Sequence, residues 1–267
     1  MWDFEHSVAG ARADFGTSDF EIAYTLPSAC AEALRVGSAD IGIIPAAAYT
    51  MVPDLVIIPG VAIAAQRAVQ SILLVSKAPL ETWATSVRTV ALDTSSMTSV
   101  ALAKILFAQW LGGAREYKTM PPDLDAMLGT CDAALLIGDP ALQVDRGRYF
   151  TLDLAEEWVR RTGKSFVFAF WAIRKQPLAE RNGAAIAEVF KKSRDHGLFP
   201  KNLEVIAQEW APRLGLTVAA VRVYLMRHIH YYLDPPCLEG LELYYRLGAE
   251  IGALPPAPEL RFVEALP

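Results

Sequence analysis

The sequence contains only three cysteines, Cys30, Cys131 and Cys237, none at a short paired spacing. That disfavours a disulfide scaffold and a structural zinc site alike. Cations are scarce too: 25 Lys and Arg against 30 Asp and Glu leave a net charge of −5. Such a balance gives no global attraction to nucleic acid or anionic lipid, so neither nucleic acid nor membrane is an expected partner. The one basic cluster, Lys191, Lys192 and Arg194, reads as a solvated helix face. Long apolar runs are missing as well. The densest stretch, 41–65, is broken by Pro45, Pro53, Asp54, Pro59 and Gly60, short of the ~20 apolar residues that a spanning helix needs. No basic, apolar and small-residue leader opens the sequence, which makes the cytoplasm the expected compartment. HExxH, P-loop, GxGxxG and GxSxG patterns are all absent. Metal hydrolysis, nucleotide chemistry and covalent catalysis lose support accordingly.

What is there is apolar: 53% of the 267 residues are hydrophobic and 21% charged, with a mean hydropathy of +0.24. A chain of this size and composition buries a sizeable core and is not a disordered tail. Without a membrane span, the excess points to strands buried on both faces, as in a parallel sheet. The first two thirds alternate helix-period stretches with short apolar runs. Residues 26–36 read as a helix with Pro27 in its first turn and Gly37 ending it; 39–44 read as a strand stopped by Pro45. Further strands are expected at 55–59, 61–65, 71–76, 89–92, 116–120, 133–137 and 166–173. Helices are expected at 98–111, with Val100, Ala103, Leu106, Phe107 and Trp110 on one stripe, and at 123–128. Beyond Ile173 the chain reads as helical, with stripes through Ile186 and Phe190, through Val218, Val221, Leu225, His228, Ile229 and Tyr232, and along 238–251.

Two segments share one plan: LPSACAEALRVGSADIGIIPAAAY and PPDLDAMLGTCDAALLIGDPAL. Each runs from Pro into a short helix, then to Asp, an apolar strand and a second Pro. Two strand ends with similar turns therefore suggest an α/β molecule with two sheet-bearing lobes facing across a cleft.

The most suggestive segment is DTSSMTSV, residues 93–100, where a buried strand passes through hydroxyl residues into a helix. Free N–H groups and the positive end of the helix dipole meet there. Ser95, Ser96, Met97 and Thr98 could cradle a carboxylate or phosphate, and the same residues could be an ordinary N-cap; the readings are compatible. IGDPAL offers Gly138, where a ligand could approach closely, and Asp139, which reads foremost as a helix cap. Pro45 and Ala46 of IIPAAAY would supply a snug apolar wall. His228 and His230, two apart on one helix, would point about 200° from each other and could not share a metal. His6 and His196 stand alone, and Glu156 with Glu157 reads as helix surface. No metal site is expected.

Taken in order, LPSACAEAL, ADIGIIPAAAY, IIPGVAIAA, SILLVSK, VALDTSSMTSVAL, MPPDLDAML, DAALLIGDPAL and DLAEEWVRRTGKSFVFAFWAIR resemble the chorismate dehydratases of the futalosine route to menaquinone. The resemblance covers nearly the whole sequence. It implies the two-lobed type II fold of periplasmic solute-binding proteins, with residues 1–74 and 170–267 in one lobe and 75–169 in the other. Strands 71–76 and 166–173 would cross between lobes as a hinge. It further implies a cytoplasmic lyase that removes water from chorismate, the expected small-molecule partner, to give 3-[(1-carboxyvinyl)oxy]benzoate without a cofactor. The substrate would lie in the cleft against Ser95, Ser96, Met97, Thr98, Pro45, Ala46, Gly138 and Asp139. No His, Lys or Glu stands out as the base; the substrate's own side-chain carboxylate is one candidate. Family members begin with a strand and a cleft-facing Asn upstream of the stretch matched by MWDFEH, and the resemblance implies that this sequence lacks both. Two alternatives share the fold: a non-catalytic binder of small carboxylates, and the sister enzyme that makes a dihydroxynaphthoate.

Overall fold

The structure is a computed structural model that describes residues 20–94, 96–178 and 182–263. Helix α1 (Pro27–Val36) opens on Pro27 and stops at Gly37, whose φ of 82° is the left-handed conformation glycine adopts most easily. Strand β1 (Ile41–Pro45) runs into a short 3-10 helix, Ala46–Thr50. Strand β2 (Leu55–Ala65) and strand β3 (Ile72–Ser76) follow. Next come the single turn α2 (Trp83–Ser86), β4 (Thr89–Asp93) and α3 (Met97–Trp110). Two further strand–helix units are β5 (Glu116–Met120) with α4 (Leu124–Thr130) and β6 (Ala133–Ile137) with the four-residue α5 (Asp139–Leu142). Strand β7 (Phe150–Asp153) leads into α6 (Leu154–Thr162), capped by Asp153, and then β8 (Phe166–Arg174). The rest is helical: α7 (Lys175–Leu178), α8 (Gly183–Gly197), α9 (Pro200–Leu214), α10 (Val218–Val223), a π-helical turn (Tyr224–His228) and α11 (Pro235–Glu250).

The strands form two sheets: three strands in the order β1-β8-β2, and five in the order β5-β4-β6-β3-β7. In the larger sheet β4 lies parallel to both β5 and β6, whereas β3 runs antiparallel to β6 and β7. Strand β3 belongs whole to the five-stranded sheet and β8 whole to the three-stranded one. The chain therefore passes between sheets at 66–71 and 163–165, not within those strands. The two strands expected at 55–59 and 61–65 are one strand, β2, with a register shift against β8 between Ile57 and Ala62. Gly60, at φ 79°, lets the backbone turn there.

A single buried cluster joins the two sheets, taking in Ile44 and Phe170 from one and Leu74, Leu92 and Leu135 from the other. Trp158, Phe166 and Tyr244 meet edge to face at its centre, with Trp158–Phe166 centroids 5.3 Å and Phe166–Tyr244 centroids 5.1 Å apart. Helix α3 is buried on more than the one expected stripe, since Ala101, Leu102 and Ile105 are as hidden as Ala103, Leu106 and Phe107. It lies between neighbours on several sides.

Three expectations are corrected here. Glu157 is not surface: its side chain is 3% exposed and pairs with Arg160 and Arg161 at 2.7 and 2.8 Å. Arg194 is not solvated: it donates to the Gly60 carbonyl and lies over the Tyr232 ring. The helix expected through Tyr232 ends at His228, because Tyr231 and His230 pair instead with Ala62 and Ala64 of β2. The expectations on MWDFEH and His6 fall outside the described residues.

Candidate functional site

Strands β4 and β6 are parallel neighbours with Leu92 opposite Leu135, so their C-terminal ends emerge side by side, about 4.8 Å apart. Ile72 pairs with Ile137, which brings the start of β3 to the same edge. Ends of parallel strands in an open α/β sheet are where such folds bind ligands. Three turns thus converge: Thr94 and Ser96 after β4, Gly138–Asp139 after β6, and Gln70–Ser71 before β3.

The first turn is built by capping. Ser96 is in extended backbone and its Oγ accepts from Ser99 N at 3.3 Å, starting α3. The first N–H groups of the helix are left facing outward with the positive dipole end. Ser96 and Met97 are half-buried at this end, and Thr94 is exposed. Thr98 is 1% exposed, and its Oγ1 accepts from Ala47 N at 3.1 Å. That bond joins the turn after β1 to the turn after β4. Ser95 lies outside the described residues.

Helix α11 supports both turns from behind. Tyr244 donates to Thr98 O at 3.1 Å, and Tyr245 donates to Ala46 O at 2.7 Å. Burial pushes both phenols above the usual tyrosine range, so both remain donors. Tyr49 donates to Glu259 O and accepts from Arg261 N, which pins the far side of the same turn. Pro45 and Ala46 are consequently buried.

At the second turn Gly138 has φ 69°, and a Cβ placed on it would meet nothing within 4 Å. The glycine therefore serves the backbone turn and borders open space. Gly138, not Asp139, is the N-cap of α5; Asp139 is its first residue, makes no cap bond and is exposed. The cap expected of Asp139 is not formed.

Sequence reasoning missed the groups that complete this edge. Tyr224 bonds to Ser71 Oγ at 2.9 Å from within the π-helical turn. Burial raises its phenol above the ordinary value, with the Ser71 bond opposing and Asp139 and Asp153 adding to the rise. Four residues on from Tyr224, His228 Nδ1 lies 2.8 Å from Ala68 O, and since a carbonyl only accepts, that nitrogen carries the proton. Gln70 N donates to Asp153 Oδ2 at 2.6 Å, and Arg146 donates to Gln70 O at 3.3 Å. The DLAE pattern at 153–156 signals the Asp153 cap; no pattern signals Tyr224, which approaches Ser71 from 153 residues away.

The edge so assembled offers helix N–H groups, the proton of the Ser71 hydroxyl and a guanidinium one residue from Ser71, while Tyr224 gives its proton to Ser71 Oγ and Ser96 gives its own to Ser99 Oγ at 3.1 Å. That set suits a small, oxygen-rich anion. A cavity of about 340 Å³ lies elsewhere, between the three-stranded sheet and helices α8 and α9. Trp171, Phe190, Trp210 and Leu225 line it, and none of the expected site residues does.

Comparison with known structures defines the class first. Protein AF1704 from Archaeoglobus fulgidus aligns at a TM-score of 0.70 and 17% identity over 94% of each chain. The periplasmic aliphatic sulphonate binding protein SsuA from Escherichia coli aligns at 0.66 and 21%, over 94% of this chain and 82% of its own. The fold is the two-lobed one of periplasmic substrate-binding proteins. Residues 5–250 match the model of the family described as "Menaquinone biosynthesis", and the chain belongs to that family. The chorismate dehydratase of Thermus thermophilus is 29% identical over 257 residues, 90% of this chain and 89% of its own. The family inferred from the sequence blocks is therefore the one found. No helix among the described residues is long and apolar enough to cross a membrane.

Proposed function

We propose that this protein is a lyase that dehydrates chorismate to 3-[(1-carboxyvinyl)oxy]benzoate in menaquinone biosynthesis, working in the cytoplasm without a cofactor. The observation that carries the reading is the likeness to a chorismate dehydratase over nine tenths of both chains. The geometry supports it. The residues up to about 65 with those from about 166 onward would form one lobe and those from about 72 to 162 the other, with chorismate in the cleft between them against Ser95, Ser96, Met97, Gly138 and Asp139 and with the buried Thr98, Pro45 and Ala46 forming the wall behind. Closure about the crossings at 66–71 and 163–165 would exclude water.

The reaction asks for little beyond placement. Loss of the C3 proton and the C4 hydroxyl gives one water and an aromatic ring, so the substrate itself supplies much of the driving force. The C3 proton is vinylogous to the ring carboxylate. Charge released on its removal flows into that carboxylate, where the N-terminus of α3 would stabilise it, joined by the Ser96 hydroxyl on turning from Ser99 Oγ, to which it donates at 3.1 Å. Tyr224 and Ser71 would position the other end of the molecule. The substrate's side-chain carboxylate would take the C3 proton and pass it to the leaving hydroxyl.

The test is incubation of the purified protein with chorismate, following the aromatic product by chromatography. Conversion with release of one water per chorismate is expected. Saturable binding of chorismate without product would instead support a non-catalytic binder, and neither binding nor product would overturn the assignment.

A further inference from the structure

Where the chain leaves the π-helical turn it becomes extended, and this places three different metal-ligand types together. His230 is fixed by two backbone bonds to Ala64 of β2, both at 2.8 Å. Asp234 caps α11, with Oδ1 accepting from Cys237 N at 3.1 Å. Its other oxygen, Oδ2, lies 2.8 Å from His230 Nε2. Cys237, one turn into the helix, is fully buried beneath them. The ligating atoms of all three residues lie within 4.8 Å of one another.

We propose that His230, Asp234 and Cys237 form a binding site for a zinc-class divalent cation. Imidazole nitrogen, carboxylate oxygen and thiolate sulfur together are the donor set of a borderline-soft ion; hard magnesium and calcium would not select the sulfur. A tetrahedral ion holds its ligands ~3.4 Å apart, so rotamer adjustments of under about 1.5 Å bring these three onto one centre. The fourth position is left to water. Entry is from the side of His230 and Asp234, whose side chains are 20% and 31% exposed, while the thiol closes the inner end. On binding, the thiol gives up its proton to solvent, the Nε2 proton that His230 donates to Asp234 Oδ2 is lost to solvent while Nδ1 takes one up, and the freed Nε2 and Oδ2 turn onto the ion. Carboxylate and thiolate then balance the double positive charge, which offsets the unfavourable field of the helix N-terminus.

The site's position gives it a purpose. The ion would tie the segment paired with β2 to the first turn of α11. Tyr244 and Tyr245, which hold the turns at Thr98 and Ala46, lie two helical turns further along that helix. Occupancy would therefore stiffen the scaffold behind the candidate site without entering it.

The experiment is titration of the full chain with Co²⁺ as a spectroscopic substitute. A thiolate-to-cobalt charge-transfer band in the near ultraviolet should saturate at one equivalent and disappear when Zn²⁺ is added. Cys237→Ser should abolish the band. His230→Ala should weaken Co²⁺ binding by more than the about tenfold to hundredfold loss typical of an outer-sphere partner. Circular dichroism checks the fold of each variant; if Cys237→Ser does not fold, His230→Ala and Asp234→Asn carry the test. No charge-transfer band, a band that survives Cys237→Ser, or unchanged affinity in the His230 and Asp234 variants overturns the proposal.

Discussion

The turn after β1 and the turn after β4 each release a buried strand into a run of small residues, yet the structure uses them in opposite ways. In the first, the Ala46 carbonyl is taken by Tyr245, the Ala47 N–H by Thr98, and the Tyr49 hydroxyl by the strap at 259–261. Buried polar groups must be paired, and the groups of this turn that are held by Tyr245, Thr98 and the strap are not open to a ligand. In the second, Ser96 and Met97 remain half-buried at a helix N-terminus, with the Gly138 turn beside them. The difference separates scaffold from recognition: one sheet supplies the wall, the other the donors.

The comparison is broken most forcefully by moving the scaffold. Gly240 of α11 packs so closely on the start of β8 that an added Cβ would sit 1.9 Å from Ser165 O, a backbone atom that cannot swing aside. Gly240→Ala must part the helix from the strand, and a loss of about 3 kcal/mol is expected in a denaturant titration. A stability change near zero would mean that α11 is not held where the two tyrosines need it.

On the recognition side, the Ser96→Ala, Thr98→Ala double variant should lower kcat by about a hundredfold, the effect of losing donors aimed at developing charge. Stability should fall by about 2–4 kcal/mol, about 1 for the lost helix cap and about 1–3 for the buried Ala47 N–H left without its Thr98 acceptor. Steady-state kinetics on chorismate beside a thermal melt separates the two. Unchanged kinetics would remove the carboxylate cradle and leave Ser96 as a cap alone.

How much of this was legible in the sequence depends on distance along the chain. Elements fixed by local pattern were readable: Pro27 and Gly37 bracket α1, and the apolar runs at 89–93 and 133–137 are strands. Strand β7 was not, since FTLD is four residues long and gains its pairing only from β3. The periodicity through Val218, Leu225 and Tyr232 promised one helix; backbone bonds from β2 to residues 230 and 231 overrode it, as tertiary pairing overrides propensity. The same break undid the argument against a metal, which rested on His230 being helical. For the site, Ser96, Met97, Gly138 and Asp139 come together because β4 and β6 are neighbours, an adjacency that the repeated segments, which match the β1 and β6 units, did not foreshadow. Ser71 and Tyr224 meet across 153 residues and leave no local trace.

The finest division between scaffold and recognition lies at Tyr245→Phe. The Tyr245 hydroxyl is buried, and its one described role is donation to Ala46 O at 2.7 Å. Removing it leaves a fully buried carbonyl without that donor, at a cost of about 1–2 kcal/mol. The ring itself, stacked near Tyr49 with centroids 6.5 Å apart, remains in place and keeps the core filled. If the turn after β1 is only a wall, the melting temperature should fall while kcat on chorismate changes by no more than a few-fold, since no donor to the substrate has been lost. If kcat collapses with the melting temperature unchanged, the Ala46 turn is itself part of recognition, and the turns after β1 and β4 would then be alike in use.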